Sequence, residues 1–421
     1  MIAVFFAILI GSIVVGIPIG FSIFLSAFLF LILDGFPLPG IVVQRMVAGV
    51  DSFPLLALPM FILAGNLMAF GTTERLMRLA NALLAHVKGG LAMAGVVAAT
   101  FFSSISGSGA ATCAAVGSIV QPEMTRKGYD KGFGASIVAG AGALGIVIPP
   151  SLPMVIFGVT AGVSIGDLFL AGIVPGVVTA LLLIGYCSMI ARRKDFPQVE
   201  QRASLADLAG AVRQSILPLL MPIIILGGIL SGVFTPTESA AVAVAYALIL
   251  SVIVYRELSL RELGRVLLSS AKGSAVVLFI IAASSPFSWV MAMERVPQAL
   301  SAAITDFAPN DFSILAMLVL FILVLGTFME TIAIIVIMTP IFMTLVGAIG
   351  MHPIHFGVIL MIGLAIGGAT PPLAVNLFVT CRIADISVER CFPYILQVVA
   401  VMIAALIVTI LVPAMSLWPT W

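Results

Sequence analysis

Two stretches of this chain combine residues that seldom meet in apolar sequence. Ser103-Ser104-Ile105-Ser106-Gly107-Ser108-Gly109 is rich in hydroxyls and glycine and lies in an uncharged run between Lys88 and Glu123. A second uncharged run, from Gly132 to Gly166, is broken at Gly145 and at Pro149-Pro150. Hydroxyls, and carbonyls freed where a helix breaks, are hard oxygen donors for a small cation. Helix N-termini at the same breaks point N–H groups at anions. At membrane depth, non-helical backbone survives only where it is buried in protein or lines a wet cavity. Discontinuous helices of this kind mark binding sites in secondary transporters. The chemistry on offer is therefore coordination of ions, and no P-loop or His-Glu-x-x-His pattern competes with that reading.

The elements that must hold these residues are apolar helices. The chain has 421 residues, of which 62% are hydrophobic and 9% charged. A soluble domain carries about 25% charged residues, so the composition is that of an all-α polytopic membrane protein. The net charge of +1 says nothing about a nucleic-acid partner, but no basic stripe with aromatics is present and no such partner is expected. Cys113, Cys187, Cys381 and Cys391 lie in or beside apolar segments without paired spacing, which argues against a disulfide framework or a zinc site. The apolar N-terminal run has no basic region before it, so a cleavable signal peptide is not expected.

Met1 to Leu33 is uncharged and interrupted at Gly16-Ile17-Pro18-Ile19-Gly20. One helix of that length would measure about 50 Å, against a hydrocarbon core of about 30 Å, so two short spans are expected. Leu38 to Val50 carries Gln44 and Arg45 and suits the interface. Ser52 to Phe70 is the next span. Thr72 to Val87 reads as an amphipathic helix capped by Thr72 or Thr73, with Glu74, Arg75, Arg78 and Asn81 on its polar face. Basic residues flank Gly89 to Pro122 on both sides, so this segment is expected to enter, turn at the Ser/Gly tip and leave on the same face as a re-entrant hairpin. The next span unwinds from Gly145 to Ser151 and continues to Val163. Leu168 to Ile190 returns to the cytoplasm, and residues 192–215 read as a cytoplasmic linker.

The second half repeats this order. Pro371-Pro372 in IGGATPPLAVNLF matches Pro149-Pro150 in GIVIPPSLPMVIF, 222 positions later. Thr235-Pro236-Thr237 answers Ile17-Pro18-Ile19, Leu258 to Lys272 answers Leu38 to Val50, and Val296 to Phe307 answers the first amphipathic helix. Phe312 to Phe342, with a tip at Gly326-Thr327-Phe328-Met329-Glu330-Thr331, answers the first hairpin. Each half thus holds five spans plus one hairpin. Five is odd, so the two repeats are inverted. With both termini outside, every one of the 19 Lys and Arg residues except Arg45 and Arg295 falls in a cytoplasmic segment. Trp418 and Trp421 then suit an interfacial anchor on the periplasmic side.

Several residues admit a plain structural reading. Ser118, Ser136, Gly140 and Gly142 fit close helix packing. Ser103, Ser106 and Ser108, beside glycines at a turn, fit a site. Glu330 has three readings: it binds a cation, carries a proton, or pairs with a helix N-terminus to hold the hairpin. Asn376 either hydrogen-bonds a substrate or bridges helices. His352 and His355 read as solvated loop residues, and Arg382 and Arg390 as topology anchors.

SGSGAATCAAVGSIVQPEM, then KGYDKGFGASIVAGAGALGIVIPPSLPMVIFGVTAGVSIGDLFLAGIVPG, closely resembles the large membrane subunit of tripartite ATP-independent periplasmic (TRAP) transporters. GTFMETIAIIVIMTPIF and GLAIGGATPPLAVNLF look like that family's partner motifs, and the resemblance covers essentially the whole chain. It implies an elevator-type fold of the ion-transporter superfamily. Scaffold would be residues 1–88 and 216–311, and a moving transport domain 89–191 and 312–421. It implies sodium-driven import of organic anions, such as C4-dicarboxylates or sialic acid, across the bacterial inner membrane. A periplasmic substrate-binding protein would deliver the anion, and a small four-helix membrane subunit, expected as a separate chain, would brace the scaffold amid the membrane lipid. Carried over by motif, one Na+ site would use Ser103, Ser106, Gly145, Ile148 and Pro150. A second would use Gly326, Gly367, Thr370 and, through its backbone, Leu373. Substrate would sit near Ser108, Gly109, Thr331 and Asn376. Two rivals are a self-sufficient sodium/divalent-anion symporter of the same superfamily and a membrane-embedded enzyme. The enzyme would need paired catalytic groups at depth, where only Glu330 is available.

Overall fold

The structure is a computed structural model that describes residues 2–35, 39–194, 196, 202–308 and 310–420. Among these residues every regular element is helical. Trp421 and Leu38, and residues 195 and 197–201 of the expected linker, lie outside the described residues.

The first repeat opens with α1 (Ile2–Val14) and α2 (Ile19–Leu33), which pack together on either side of Pro18. Ser26 Oγ ties them by donating to Phe5 O at 2.7 Å, so the two short helices expected over 1–33 are present. α3 (Pro39–Val50) lies on α12 (Leu260–Met293), with the Arg45 guanidinium 4.8 Å from the Trp289 ring centroid. α4 (Ala57–Leu84) follows a single 3-10 turn and breaks at Phe70–Gly71. Gly71 has φ +72°, a left-handed backbone that favours glycine, and the break separates span from amphipathic helix where the sequence placed it. The expected cap is not made. Thr72 Oγ1 is buried without a partner and Thr73 Oγ1 turns back to Ala69 O, because both hydroxyls face the core.

α5 (Gly90–Ser106) and α6 (Gly109–Arg126) form the first hairpin. α7 (Lys131–Ala143) ends in a 3-10 turn, and a cis Pro149-Pro150 bond precedes α8 (Leu152–Ala161). Prolines 149, 150 and 153 lack the N–H that Gly145, Ile146 and Pro149 carbonyls would meet four residues on, so the helix must break here. α9 (Ile165–Arg193) closes the repeat.

The second repeat follows the same order. α10 (Leu205–Leu230) and α11 (Pro236–Leu248) precede α12, and α13 (Val296–Phe307) answers the amphipathic end of α4. α14 (Asp311–Phe328) and α15 (Thr331–Ala348) form the second hairpin, with α16 (Pro353–Ala369), α17 (Val375–Ala384) and α18 (Phe392–Leu411) behind it; a one-turn α19 (Ala414–Leu417) follows. A cis Pro371-Pro372 bond separates α16 from α17. The halves interlock reciprocally. α15 packs on α8 as α6 packs on α17, and α9 on α16 as α18 on α7. Eight helices among the described residues are long and apolar enough to cross a membrane. The fold is thus an all-helical membrane fold of two repeats, each with a hairpin and a broken helix.

Three further details differ from expectation. α10 begins at Leu205 behind a Ser204/Asp207 capping box, so the later part of 192–215 is helical. Most of Leu258 to Lys272 belongs to the unbroken α12, because the repeat lacks the Ser52-Phe53-Pro54 break that separates α3 from α4. His352 is an exposed residue before α16, as expected, but His355 is not a loop residue. His352 caps α16, its Nδ1 accepting from Ile354 N–H at 3.3 Å, and His355 is buried with Nδ1 2.6 Å from Ser416 Oγ.

Candidate ion and substrate site

The first hairpin turns because Gly107, at φ +60°, ends α5 in the left-handed region and Ser108 restarts the chain as an extended N-cap of α6. Gly107 also lies against the helix break. A Cβ there would stand 2.8 Å from Pro150 O. Gly107 O accepts from Leu152 N–H at 3.3 Å. The second hairpin makes the equivalent tie, with Leu373 N–H donating to Thr327 O at 3.0 Å. Each tip is therefore pinned to the half-helix that follows its own proline pair.

Behind the first tip lies a hydroxyl cluster. Ser106 Oγ is 2.9 Å from Thr112 Oγ1, Ser103 Oγ is 3.5 Å from it, and Thr112 Oγ1 also donates to Ser108 O at 2.9 Å. Ser103, Ser106 and Thr112 are all buried. Gly145 lies against the same carbonyl, since a Cβ on it would fall 2.7 Å from Ser108 O. The structure thus brings together Ser103, Ser106, Gly145 and Pro150 of the expected set. Ile148 points its side chain away toward Gly176 of α9, leaving only its backbone for this corner. Thr112 was missed by sequence reasoning. A signal for it existed, because reflection across a Gly107-Ser108 turn places Thr112 opposite Ser103.

The second corner is built differently. Gly326 of α14 meets Gly367 of α16 backbone to backbone. A Cβ on Gly367 would fall 2.5 Å from Gly326 Cα. Thr370 Oγ1 donates to Ile366 O at 2.7 Å and Thr327 Oγ1 to Val324 O at 2.8 Å, so both hydroxyls turn back onto their own helices. The oxygen donors left there are backbone carbonyls. Pro371 and Pro372 deprive Gly367 and Gly368 of helical partners four residues on, and Gly367 O instead takes Thr370 N–H at 3.0 Å. Leu373 offers no oxygen ligand through its side chain. It lines the cavity, and its amide is spent on Thr327.

Between the tips lies a cavity of about 190 Å³. Ser108, Gly109, Thr331 and Asn376, the residues expected around a substrate, all line it, with Leu152, Glu330 and Val375. The N-termini of α6, α8, α15 and α17 open onto this space, each a partial positive charge. The C-terminal ends of α5 and α14 carry the hydroxyl cluster and the glycine contact, each a partial negative charge. Asn376 is buried, its Nδ2 lacks a hydrogen-bond partner, and its amide faces Gly109 and Gly368. An unpartnered buried amide donor is costly, which argues for a ligand oxygen there. Glu330 is the N-cap of α15, accepting from Ile332 N–H at 2.9 Å and Ala333 N–H at 3.3 Å. Of its three readings, this geometry fits the one that holds the hairpin.

No group of three or more His, Cys, Asp or Glu side chains that could hold a metal ion occurs among the described residues. Hydroxyls and carbonyls at helix C-termini suit a hard alkali cation rather than a transition metal. Gly162-Val163-Ser164-Ile165-Gly166 has the spacing of a serine nucleophile elbow, but Ser164 sits between two helices and caps α9, accepting from Asp167 N–H at 3.2 Å.

Comparison with known proteins bears on this site as a whole. The model of the tripartite ATP-independent periplasmic transporter DctM component matches residues 2–415. The isethionate TRAP transporter permease protein DctMQ of Oleidesulfovibrio alaskensis is 40% identical over 406 residues, 96% of this chain and 64% of that protein. The C4-dicarboxylate TRAP transporter large permease protein DctM of Pseudomonas aeruginosa is 40% identical over 373 residues, 88% of this chain and 87% of that one. The sialic acid TRAP transporter large permease protein SiaM of Vibrio cholerae is 36% identical over 377 residues, covering 89% and 88%. Among solved structures, the YdaH transporter of Alcanivorax borkumensis aligns with a TM-score of 0.57 at 13% identity, over 87% of this chain and 86% of that one, a likeness of fold alone.

Proposed function

Because the chain belongs to the DctM-component family of tripartite ATP-independent periplasmic transporters, we propose that it is the large membrane subunit of a sodium-coupled importer of a small organic anion. One observation carries this reading. Four helix N-termini converge on one cavity where the buried Asn376 Nδ2 has no hydrogen-bond partner, while hydroxyls and carbonyls collect at the helix C-termini behind it. The cavity suits an anion and the corners suit a cation. Sodium at Ser103, Ser106, Thr112 and the carbonyl of Gly145 would hold the first tip. A second sodium would sit at the Gly326–Gly367 contact, on the carbonyls there. Each cation offsets helix C-terminal charge and fixes a hairpin tip, so sodium binding would precede and create the anion site.

A carboxylate or sulfonate cargo is supported by the relatives named for C4-dicarboxylates, sialic acid and isethionate. A periplasmic binding protein would deliver it, and a small membrane subunit would brace α1–α4 and α10–α13. The hairpins and broken helices would carry it across the inner membrane as one elevator body. Substituting Ser103 and Ser106 by Ala tests the sodium site. Uptake should then need more sodium while its ceiling is kept; unchanged sodium dependence would remove that assignment. The self-sufficient symporter reading is tested by omitting the binding protein.

A further inference from the structure

The two broken helices are equivalent by repeat but not by surroundings. α8 is covered by α15, by α4 and by the 3-10 turn Phe53–Leu56. α17 packs on α6, α7 and α16 and leaves its other face open. That face lines a second cavity of about 640 Å³, whose wall includes Leu373, Val375, Phe378, Val379, Arg382 and Ser387. Leu373 and Val375 line the substrate cavity as well, so the two spaces adjoin. The wider one lies toward the C-terminal end of α17, where the charge pattern puts the cytoplasm.

Among the described residues, Arg382 is the only charged side chain on this wall. It is exposed, and no ion pair holds it among the described residues. Asp385, Glu389 and Arg390 follow closely in sequence but do not line the cavity. The repeat-equivalent position on α8 is Thr160, whose hydroxyl bonds its own helix at Ile156 O. The cation therefore has no counterpart at the equivalent position of α8. It stands seven residues beyond Val375, about 10 Å along the helix from the substrate cavity.

We propose that this cavity is the cytoplasmic release vestibule and that Arg382 is a way-station for the departing anion. An anion leaving the field of four helix N-termini must cross a wall of Leu, Val and Phe side chains. A guanidinium one to two turns further on offers the next favourable position, by direct pairing with a carboxylate or sulfonate. The proposal rests on the anion-importer reading above, but its test does not require transport.

Phe378 lies one turn from Arg382 on the same face. A Phe378→Cys chain, expressed with its partner subunits, is treated in inside-out membrane vesicles with 2-sulfonatoethyl methanethiosulfonate or its trimethylammonium counterpart. Each reagent forms a mixed disulfide with the thiolate and releases methanesulfinate. The four native cysteines are buried, and the parent chain supplies the background. Relative to their rates with a free thiol in solution, the anionic reagent should be favoured. Arg382→Gln should lower the anion-to-cation rate ratio about tenfold, from about threefold on each reagent for a unit charge at about 6 Å in water. Arg382→Lys should keep the ratio, and 1 M salt should collapse it. A ratio unmoved by Arg382→Gln, or a thiol reached only from the periplasmic face, overturns the proposal. Should Phe378→Cys fail to accumulate, Val379→Cys serves on the same wall. Sodium-driven uptake without this charge effect sinks the vestibule alone; the charge effect without any anion uptake sinks the importer reading alone.

Discussion

At the scale of single residues, the hydroxyls and the lone carboxylate divide the work of the site. Thr112 Oγ1 is the hub, within 3.5 Å of both Ser103 and Ser106. Thr112→Val keeps the shape and removes the oxygen. A lost ligand on the order of 1–1.5 kcal/mol should raise the sodium concentration for half-maximal uptake about tenfold, as read from initial rates against sodium. Glu330 should behave as a cap. Glu330→Ala should cost about 1 kcal/mol of stability, seen in thermal unfolding in detergent, and Glu330→Ser should recover it with sodium-driven uptake intact. Loss of uptake in Glu330→Ser would instead mark the carboxylate as a proton or cation carrier. The serines were legible because they sit at a turn, where apolar sequence has little reason to hold them. Thr112 was not, because one threonine inside a helix usually bonds its own backbone. Only the closed hairpin brings it to Ser106. Asn376 was legible as a polar residue after the prolines, but its unpartnered amide is a fact of tertiary packing.

At the scale of elements, backbone contact governs. Gly367 has no room for a side chain, since a Cβ would strike Gly326 backbone at 2.5 Å. Gly367→Ala should push α14 off α16, destabilise the chain by about 1–3 kcal/mol and abolish uptake. Gly347, in α15 of the same hairpin, has nothing within 4 Å of a built Cβ, and Gly347→Ala should leave uptake unchanged. Comparing the two variants in one uptake assay separates loss of the close contact from a general intolerance of alanine in the hairpin. The helix breaks at the two proline pairs could be read directly, because a missing N–H is a property of sequence. The break at Gly71 was legible for a related reason, since glycine accepts a left-handed backbone. The continuity of α12 was not. Nothing in Leu258 to Lys272 marks a break, and the expectation of one came from the first repeat, where Pro54 supplies it. The buried His355 was misread because its partner, Ser416, lies 61 residues further on.

At the scale of the whole molecule, two repeats of low mutual identity build two unequal corners around one cavity. The first corner has side-chain oxygens, the second mainly backbone. Removing side-chain oxygens can therefore weaken only the first. Ser103→Ala with Ser106→Ala should change the sodium requirement, whereas Thr370→Val, whose hydroxyl is turned onto Ile366 O, should change it little. Paired titrations of uptake against sodium check this asymmetry. Repeat order made the helical architecture readable in the sequence, because membrane depth restricts a chain to helices and exceptional breaks. The open face of α17 and the covered face of α8 were not readable, since both follow from how the halves pack.

The most direct test of sodium-coupled anion import is uptake into proteoliposomes containing this chain and its small membrane subunit. Labelled C4-dicarboxylate, sialic acid and isethionate would each be offered under an inward sodium gradient, with and without the matching binding protein. Uptake of one of these anions only when sodium and binding protein are both present is the predicted result. Uptake indifferent to sodium would contradict the account at its centre, and sodium-driven uptake without the binding protein would make the chain a self-sufficient symporter.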